Sequence, residues 1–151
     1  MTVKQLMSTN VVTIDDQASC REAVALMCRH KVRHLPVVSR QGVLCGIVTD
    51  RDLRHQLFRP DVFPSIGTVP VEQLLNAAPV RRVMSSPVTW VDPEASLEEA
   101  ARLMLQDKLG SLPVVDNGHI IGIITETDLL RRIVGADTGA VDVATIVVSY
   151  P

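Results

Sequence analysis

The sequence predicts an α/β protein of the α+β type, built as two β-α-β-β-α repeats related by pseudo-twofold symmetry. Three observations carry this prediction. The chain repeats itself at a spacing of 77 residues: "MSTNVVTIDDQAS" (7–19) matches "MSSPVTWVDPEAS" (84–96) without a gap, and "LPVV" at 35–38 matches "LPVV" at 112–115. Each copy carries the S-x-x-E signature of a capped helix start, followed by two short apolar runs around a glycine-bearing turn, the pattern of a hairpin. Apolar residues make up 46% of the chain and aromatics only 3%, so the core must be aliphatic.

The elements follow in order. A short extended segment, Val11–Ile14, opens the first copy, and Val88–Val91 opens the second. In the capping boxes Ser19…Glu22 and Ser96…Glu99, the serine accepts from a first-turn N–H and the glutamate reaches back to the serine N–H. The helices that follow place Ala23, Val24, Met27 and Cys28, matched by Ala100, Ala101, Met104 and Leu105, on the buried face. The strand "LPVV", a turn with Gly42 or Gly118, and the strand "VLCGIVT" or "HIIGIIT" form a hairpin. The turn "SRQG" shortens to "DNG", and such a deletion is what a loop tolerates. A second helix starts after the threonine and carries Leu53, or Leu129 and Leu130, with Gly135 as a stop.

This divides the chain into a first repeat (1–58), a proline-rich connector (59–79), a second repeat (80–136) and a C-terminal tail (137–151). The connector holds Pro60, Pro64, Pro70 and Pro79, with room for a turn or two of helix in "VEQLLNAA". A repeat of roughly 55 residues buries too little to stand alone comfortably, so the two are expected to share a core.

Composition excludes several classes. The only aromatics are Phe58, Phe63, Trp90 and Tyr150, too few for a platform that stacks single-stranded bases. A net charge of −2 gives no general attraction to nucleic acid. No apolar run approaches the ~18 residues of a membrane span, and "MTVKQLMSTN" has no signal-peptide core. Cys20, Cys28 and Cys45 lack C-x-x-C spacing and read as small buried hydrophobes in a reducing compartment. A cytoplasmic protein without membrane or nucleic-acid partners is expected.

The stretch "GIVTDRD" (46–52) returns as "GIITETD" (122–128). In one reading, Thr49 and Thr125 are N-caps, and Asp52 and Asp128 at the third helical position close a short-armed capping box. In the other, the same helix start grips a ligand, because unpaired N–H groups and the helix dipole meet there. Gly46 and Gly122 interrupt apolar strands, which capping does not require, and favour the close approach of another group to the backbone.

Together, M-S-x-x-x-x-x with S-x-x-E, L-P-V-V and G-[IV]-[IV]-T-x-x-D resemble the cystathionine-β-synthase (CBS) domain, and two in tandem resemble the CBS pair, or Bateman module. "KVRHLPVV", "GIVTDRDLR" and "GIITETDLL" are most similar to stand-alone bacterial pairs, including the acetoin-utilisation type. The resemblance implies a regulatory module with no obligatory cofactor, binding an adenine nucleotide (AMP, ADP or ATP) or a related adenosyl compound in clefts between the repeats. It also implies that Asp52 and Asp128 hold ribose hydroxyls, with Thr49 and Thr125 near ribose or phosphate. Family pairs dimerise through their helices, and Ala23, Ala25, Ala100 and Ala101 would permit close helix contact. A homodimer signalling to an unidentified effector protein is therefore expected.

Two further sites are candidates. Arg33 and His34 in "HKVRH" correspond to Gly110 and Ser111 in "DKLGS". They read either as a solvated basic turn or, as the resemblance implies, as phosphate contacts, since arginine forks suit phosphate. With a pKa near ~6.5, His34 would gain charge below neutrality, so phosphate ligands are expected to bind more tightly at pH 6 than at pH 8. Trp90 stands where the first repeat has Thr13; a lone tryptophan reads as core or interface, while the resemblance places this segment along the cleft. His30 and His34 lack further ligands at zinc spacing. No G-x-S-x-G, P-loop or Cys–His setting appears, so no catalytic residue is assigned and an enzyme is not expected. The alternative is a ligand-independent dimerisation module whose T-x-x-D stretches only cap helices.

Overall fold

The computed structural model describes residues 1–135; the expected tail 137–151, with Tyr150, lies outside the described residues. The first repeat forms β1 (Ile14–Asp15), α1 (Cys20–His30), β2 (His34–Val38), β3 (Leu44–Thr49) and α2 (Asp50–Leu57). The connector contributes a 3-10 turn at Phe63–Ser65 and α3 (Val71–Ala77). The second repeat forms α4 (Leu97–Asp107), β4 (Ser111–Asp116), β5 (His119–Thr125) and α5 (Glu126–Ile133).

The caps behave largely as the sequence predicts. Ser19 Oγ accepts from Glu22 N at 3.2 Å, and Ser19 N donates to Glu22 Oε2 at 2.7 Å, closing the box on α1. On α4 only the forward half forms: Ser96 Oγ accepts from Glu99 N at 3.1 Å. Both helices end in a left-handed residue, Lys31 or Lys108, whose N–H returns to Met27 or Met104.

In the first sheet β1 runs parallel to β2, pairing Ile14 with Val37, and β2 runs antiparallel to β3. In the second, β4 and β5 are antiparallel, and the expected leading strand reduces to a single parallel bridge from Val91 to Val114. The extended segments Val11–Ile14 and Val88–Val91 thus pair only at their ends. Their other residues cross from one sheet to the other.

That crossing decides the packing. Ser8 bridges Ile123 of β5, and Ser85 bridges Ile47 of β3, in both cases antiparallel. Val3, fully buried, joins Val91, Ala100, Met104, Leu112, Val114 and Ile124 in the second core, with Leu6 and Met7 against it. Reciprocally, Leu75, Ala78 and Val80 join Ile14, Ala23, Met27, Leu35, Val37, Val48 and Leu53 in the first, with Val83 and Met84 against it. Each repeat lends its leading segment to the other's core, and the exchange relates the halves by an approximate twofold.

Some positions differ from the sequence expectation. Leu105 is 81% exposed and Cys28 is exposed, because the core needs only the Ala23–Met27 or Ala100–Met104 stripe of each helix. Cys20 is buried and its thiol is pushed up to about 11 by burial, whereas Cys45 is only half-buried. Leu53 is buried as expected, but Leu130 is exposed, as are Ile133 and Val134 at the end of α5.

Candidate ligand-binding site

Both T-x-x-D stretches lie at a strand-to-helix junction. Thr49 ends β3 in an extended conformation and caps α2; Thr125 does the same for β5 and α5. In each the threonine hydroxyl accepts from the aspartate N–H, and the aspartate accepts in return. Asp52 Oδ2 accepts from Thr49 N at 2.8 Å and from Thr49 Oγ1 at 2.9 Å. Asp128 Oδ2 accepts from Thr125 N at 2.8 Å and from Thr125 Oγ1 at 2.7 Å. The capping reading is therefore correct.

The same geometry leaves something over. All four bonds fall on Oδ2, and among the described residues neither Asp52 Oδ1 nor Asp128 Oδ1 accepts a hydrogen bond. Both aspartates are half-buried. Each junction thus presents one carboxylate oxygen, held rigid by its partner, to a donor from outside; an ionised carboxylate accepts but cannot donate. Asp50 and Glu126 add a second carboxylate to each helix start. Two negative charges favour a hydroxyl donor over an anion there, so a phosphate needs separate cations.

Gly46 and Gly122 each accommodate a methionine from the other repeat, not the ligand expected from the sequence. The group that approaches Gly46 is Met84, and the group that approaches Gly122 is Met7. A β-carbon on Gly46 would overlap Met84 Sδ and stand 2.8 Å from its Cγ. One on Gly122 would overlap Met7 Sδ and stand 3.1 Å from the carbonyl oxygen of Ser8. The exchanged segments therefore explain both glycines without a ligand. The M-S motif was visible as part of the repeat, but its cross-repeat partner was not.

The structure brings His34 to the meeting of the two junctions. His34 pairs with Thr49 across the first hairpin, and Ser111 pairs with Thr125 across the second. The carbonyl of Arg33 accepts from Asp50 N at 3.1 Å, and that of Gly110 from Glu126 N at 3.0 Å. The His34 ring crosses to the second repeat and lies against Gly110. Burial pushes the His34 pKa down, Arg33 adds to this, and Asp50, Glu126 and Asp52 oppose it without prevailing. The expected charge gain near neutrality is corrected accordingly: His34 stays neutral to lower pH, and its help to a phosphate at pH 6 shrinks. Arg33 is exposed. Ser111 Oγ, at the position equivalent to His34, is buried with no hydrogen-bond partner among the described residues, a feature without a local sequence signal.

Thr13 and Trp90 lie on the crossing segments, half-buried and 51% exposed respectively. Two wide-open surface depressions lie elsewhere, one lined by Asp16, Gln17, Ser39, Arg40 and Gln41 and the other by Gly67–Val71. The first is lined by polar side chains and the second by the approach to α3, and neither includes a residue of the T-x-x-D junctions. No group of three or more metal-ligating side chains gathers among the described residues, and no helix among them is long and apolar enough to cross a membrane.

Comparison with known proteins agrees with the sequence resemblance. The family description "CBS domain" matches residues 3–59 and 80–135. CBS domain-containing protein YhcV of Bacillus subtilis is 37% identical over 127 residues, covering 84% of this chain and 81% of that protein. Protein MJ1404 of Methanocaldococcus jannaschii is 33% identical over 139 residues, and the match covers 91% of this chain but only 33% of that longer protein. Among solved structures, the CBS domain pair of protein MJ0100 in complex with 5′-methylthioadenosine and S-adenosyl-L-methionine superposes with a TM-score of 0.76 at 25% identity, covering 90% of this chain and 98% of that one. CBSX2 in complex with AMP superposes with a TM-score of 0.71 at 30% identity, covering 91% and 98%. AcuB of Vibrio cholerae, described as a candidate acetoin utilisation protein, reaches 0.71 at 31% identity, covering 90% and 92%.

Proposed function

The chain belongs to the CBS-domain family, and from that premise we propose that it is a non-catalytic regulatory module that binds an adenosyl ligand at its two T-x-x-D junctions. The observation that carries the reading is the Oδ1 of Asp52 and Asp128, unengaged among the described residues while a capping threonine fixes each carboxylate. A ribose diol supplies the hydroxyl donors that such an oxygen accepts, and charge-assisted bonds of this kind are worth roughly 1.5–3 kcal/mol each. The relatives solved with AMP, or with S-adenosyl-L-methionine and 5′-methylthioadenosine, support the adenosyl class.

Signalling from such a module requires a surface that another protein can feel. Leu105, Leu130, Ile133 and Val134 are exposed on α4 and at the end of α5, a candidate face for self-association as a homodimer or for an effector. The second reading, a ligand-independent interaction module, is favoured by the caps being complete without any ligand. Mass spectrometry of small molecules released from the purified, denatured protein separates the two. An adenine-containing compound near stoichiometric amount is the expected result. Its absence, together with no heat of binding for AMP or S-adenosylmethionine, would leave only the interaction module.

A further inference from the structure

We infer that Trp90 is the stacking platform of one cleft only, the cleft whose carboxylate is Asp52, so that the two clefts take different ligands. This rests on the adenosyl reading above and deepens it. Three independent features of the chain path and of Trp90 itself carry it.

The first is the crossing. Ser85 is pinned to β3 by Ser85 N to Ile47 O at 2.9 Å and Ile47 N to Ser85 O at 3.1 Å, two residues before Thr49. Six residues later Val91 is pinned to β4 by Val91 N to Pro113 O at 3.0 Å. The stretch carrying Trp90 therefore leaves the Asp52 junction and spans to the second sheet. Thr13 lies on the reciprocal stretch, from Ser8 on β5 to Ile14 beside β2, and so leaves the Asp128 junction. Each cleft is built crosswise: Asp52 with Trp90, and Asp128 with Thr13.

The second is direction. Val91 is buried in the second core, and Thr89 Oγ1 donates to Asp107 Oδ2 at the end of α4, at 3.3 Å. Both lie on the helix side of their segment. Side chains alternate along extended chain, so Trp90 between them turns to the opposite side, away from α4.

The third is the state of the ring. Trp90 is half-exposed, and among the described residues it has no aromatic neighbour and its indole N–H has no acceptor. A tryptophan used only for packing buries its ring and pairs its N–H. This one leaves about half of its surface uncovered, room for a purine to stack. The Asp52 cleft therefore takes a purine nucleoside without needing a phosphate. In the Asp128 cleft Thr13, at the position of Trp90, gives no such platform.

Trp90 is the only tryptophan in the chain, so its fluorescence reports one cleft. Adenosine, titrated with selective indole excitation, should change the emission. Asp52→Asn should move that change to about 10- to 100-fold higher adenosine, and Asp128→Asn should leave it in place; asparagine keeps an acceptor oxygen for the cap. Trp90→Thr, which installs the residue of the first repeat, should weaken adenosine at one calorimetric site by about 5- to 100-fold, as loss of stacking predicts. A weakened titration in Asp128→Asn, or an unshifted one in Asp52→Asn, overturns the crosswise pairing. Calorimetric binding of adenosine without any change in emission overturns the platform while the adenosyl reading stands. If adenosine, AMP and S-adenosylmethionine all fail to bind, both fall.

Discussion

The imidazole of His34 occupies the space that a side chain on Gly110 would need: a β-carbon there would stand 2.9 Å from His34 Nε2 and 3.9 Å from Glu126 Oε2. The contact joins the two repeats where their helix starts meet. Gly110→Ala should therefore displace His34 and cost about 1–3 kcal/mol, the usual range for overpacking. Adding His34→Ala should recover much of that loss, giving a coupling energy of about 0.5–3 kcal/mol in a double-mutant cycle. Urea denaturation of the four proteins measures it. Additive effects would show that the two residues do not share the space.

The same residue sets a pH dependence. Burial holds the His34 pKa below its usual range in the folded chain, so the unfolded chain binds the proton more readily. The unfolded state then carries more protons, and stability rises with pH through that window. The contribution is complete above about pH 6.5, the unfolded value, and is lost as pH falls through the folded value. Thermal melts between about pH 5 and pH 7.5 should show this slope, and His34→Gln should flatten it. An unchanged slope in the variant would assign the effect to other groups.

The exchange of leading segments makes a prediction about which half of the protein feels a mutation. Val3 belongs to the first repeat in sequence but is fully buried in the second core. Val3→Ala should cost roughly 1.5–3 kcal/mol, from lost burial and the cavity left behind. Hydrogen exchange should quicken first in α4, β4 and β5, with α1 and β2 protected as before. The reverse pattern would contradict the exchange.

The repeat, the helix starts and the hairpins were legible because they are local: S-x-x-E, T-x-x-D and the glycine turns specify their own geometry within a few residues. The ribose candidates Asp52 and Asp128 were legible for the same reason. What the sequence hid was long-range. Nothing local says that Met7 covers Gly122 or that Met84 covers Gly46, so a glycine that accommodates a methionine looked like one that accommodates a ligand. Leu105 fits a helical apolar stripe by spacing, yet α4 uses a narrower one and leaves it exposed. The basic pair was visible, but burial of His34 depends on the opposite repeat and could not be read from "HKVRH".

Asp52 and Asp128 cap their helices and are proposed to hold a ligand as well, and one experiment measures both roles. Thermal melts of the wild type and of Asp52→Ala and Asp128→Ala, each with and without AMP or S-adenosylmethionine, separate stability from binding. Without ligand, each variant should lose about 1 kcal/mol, the worth of a cap. At ligand concentrations 100 times the dissociation constant, the wild type should gain about 2.7 kcal/mol, a rise of roughly 5–10 °C for a chain of this size. Each variant should bind about 10- to 100-fold more weakly at its own junction, as expected for a lost charge-assisted bond. Variants that melt lower yet bind every adenosyl ligand as the wild type does would contradict the account and leave the aspartates as caps alone.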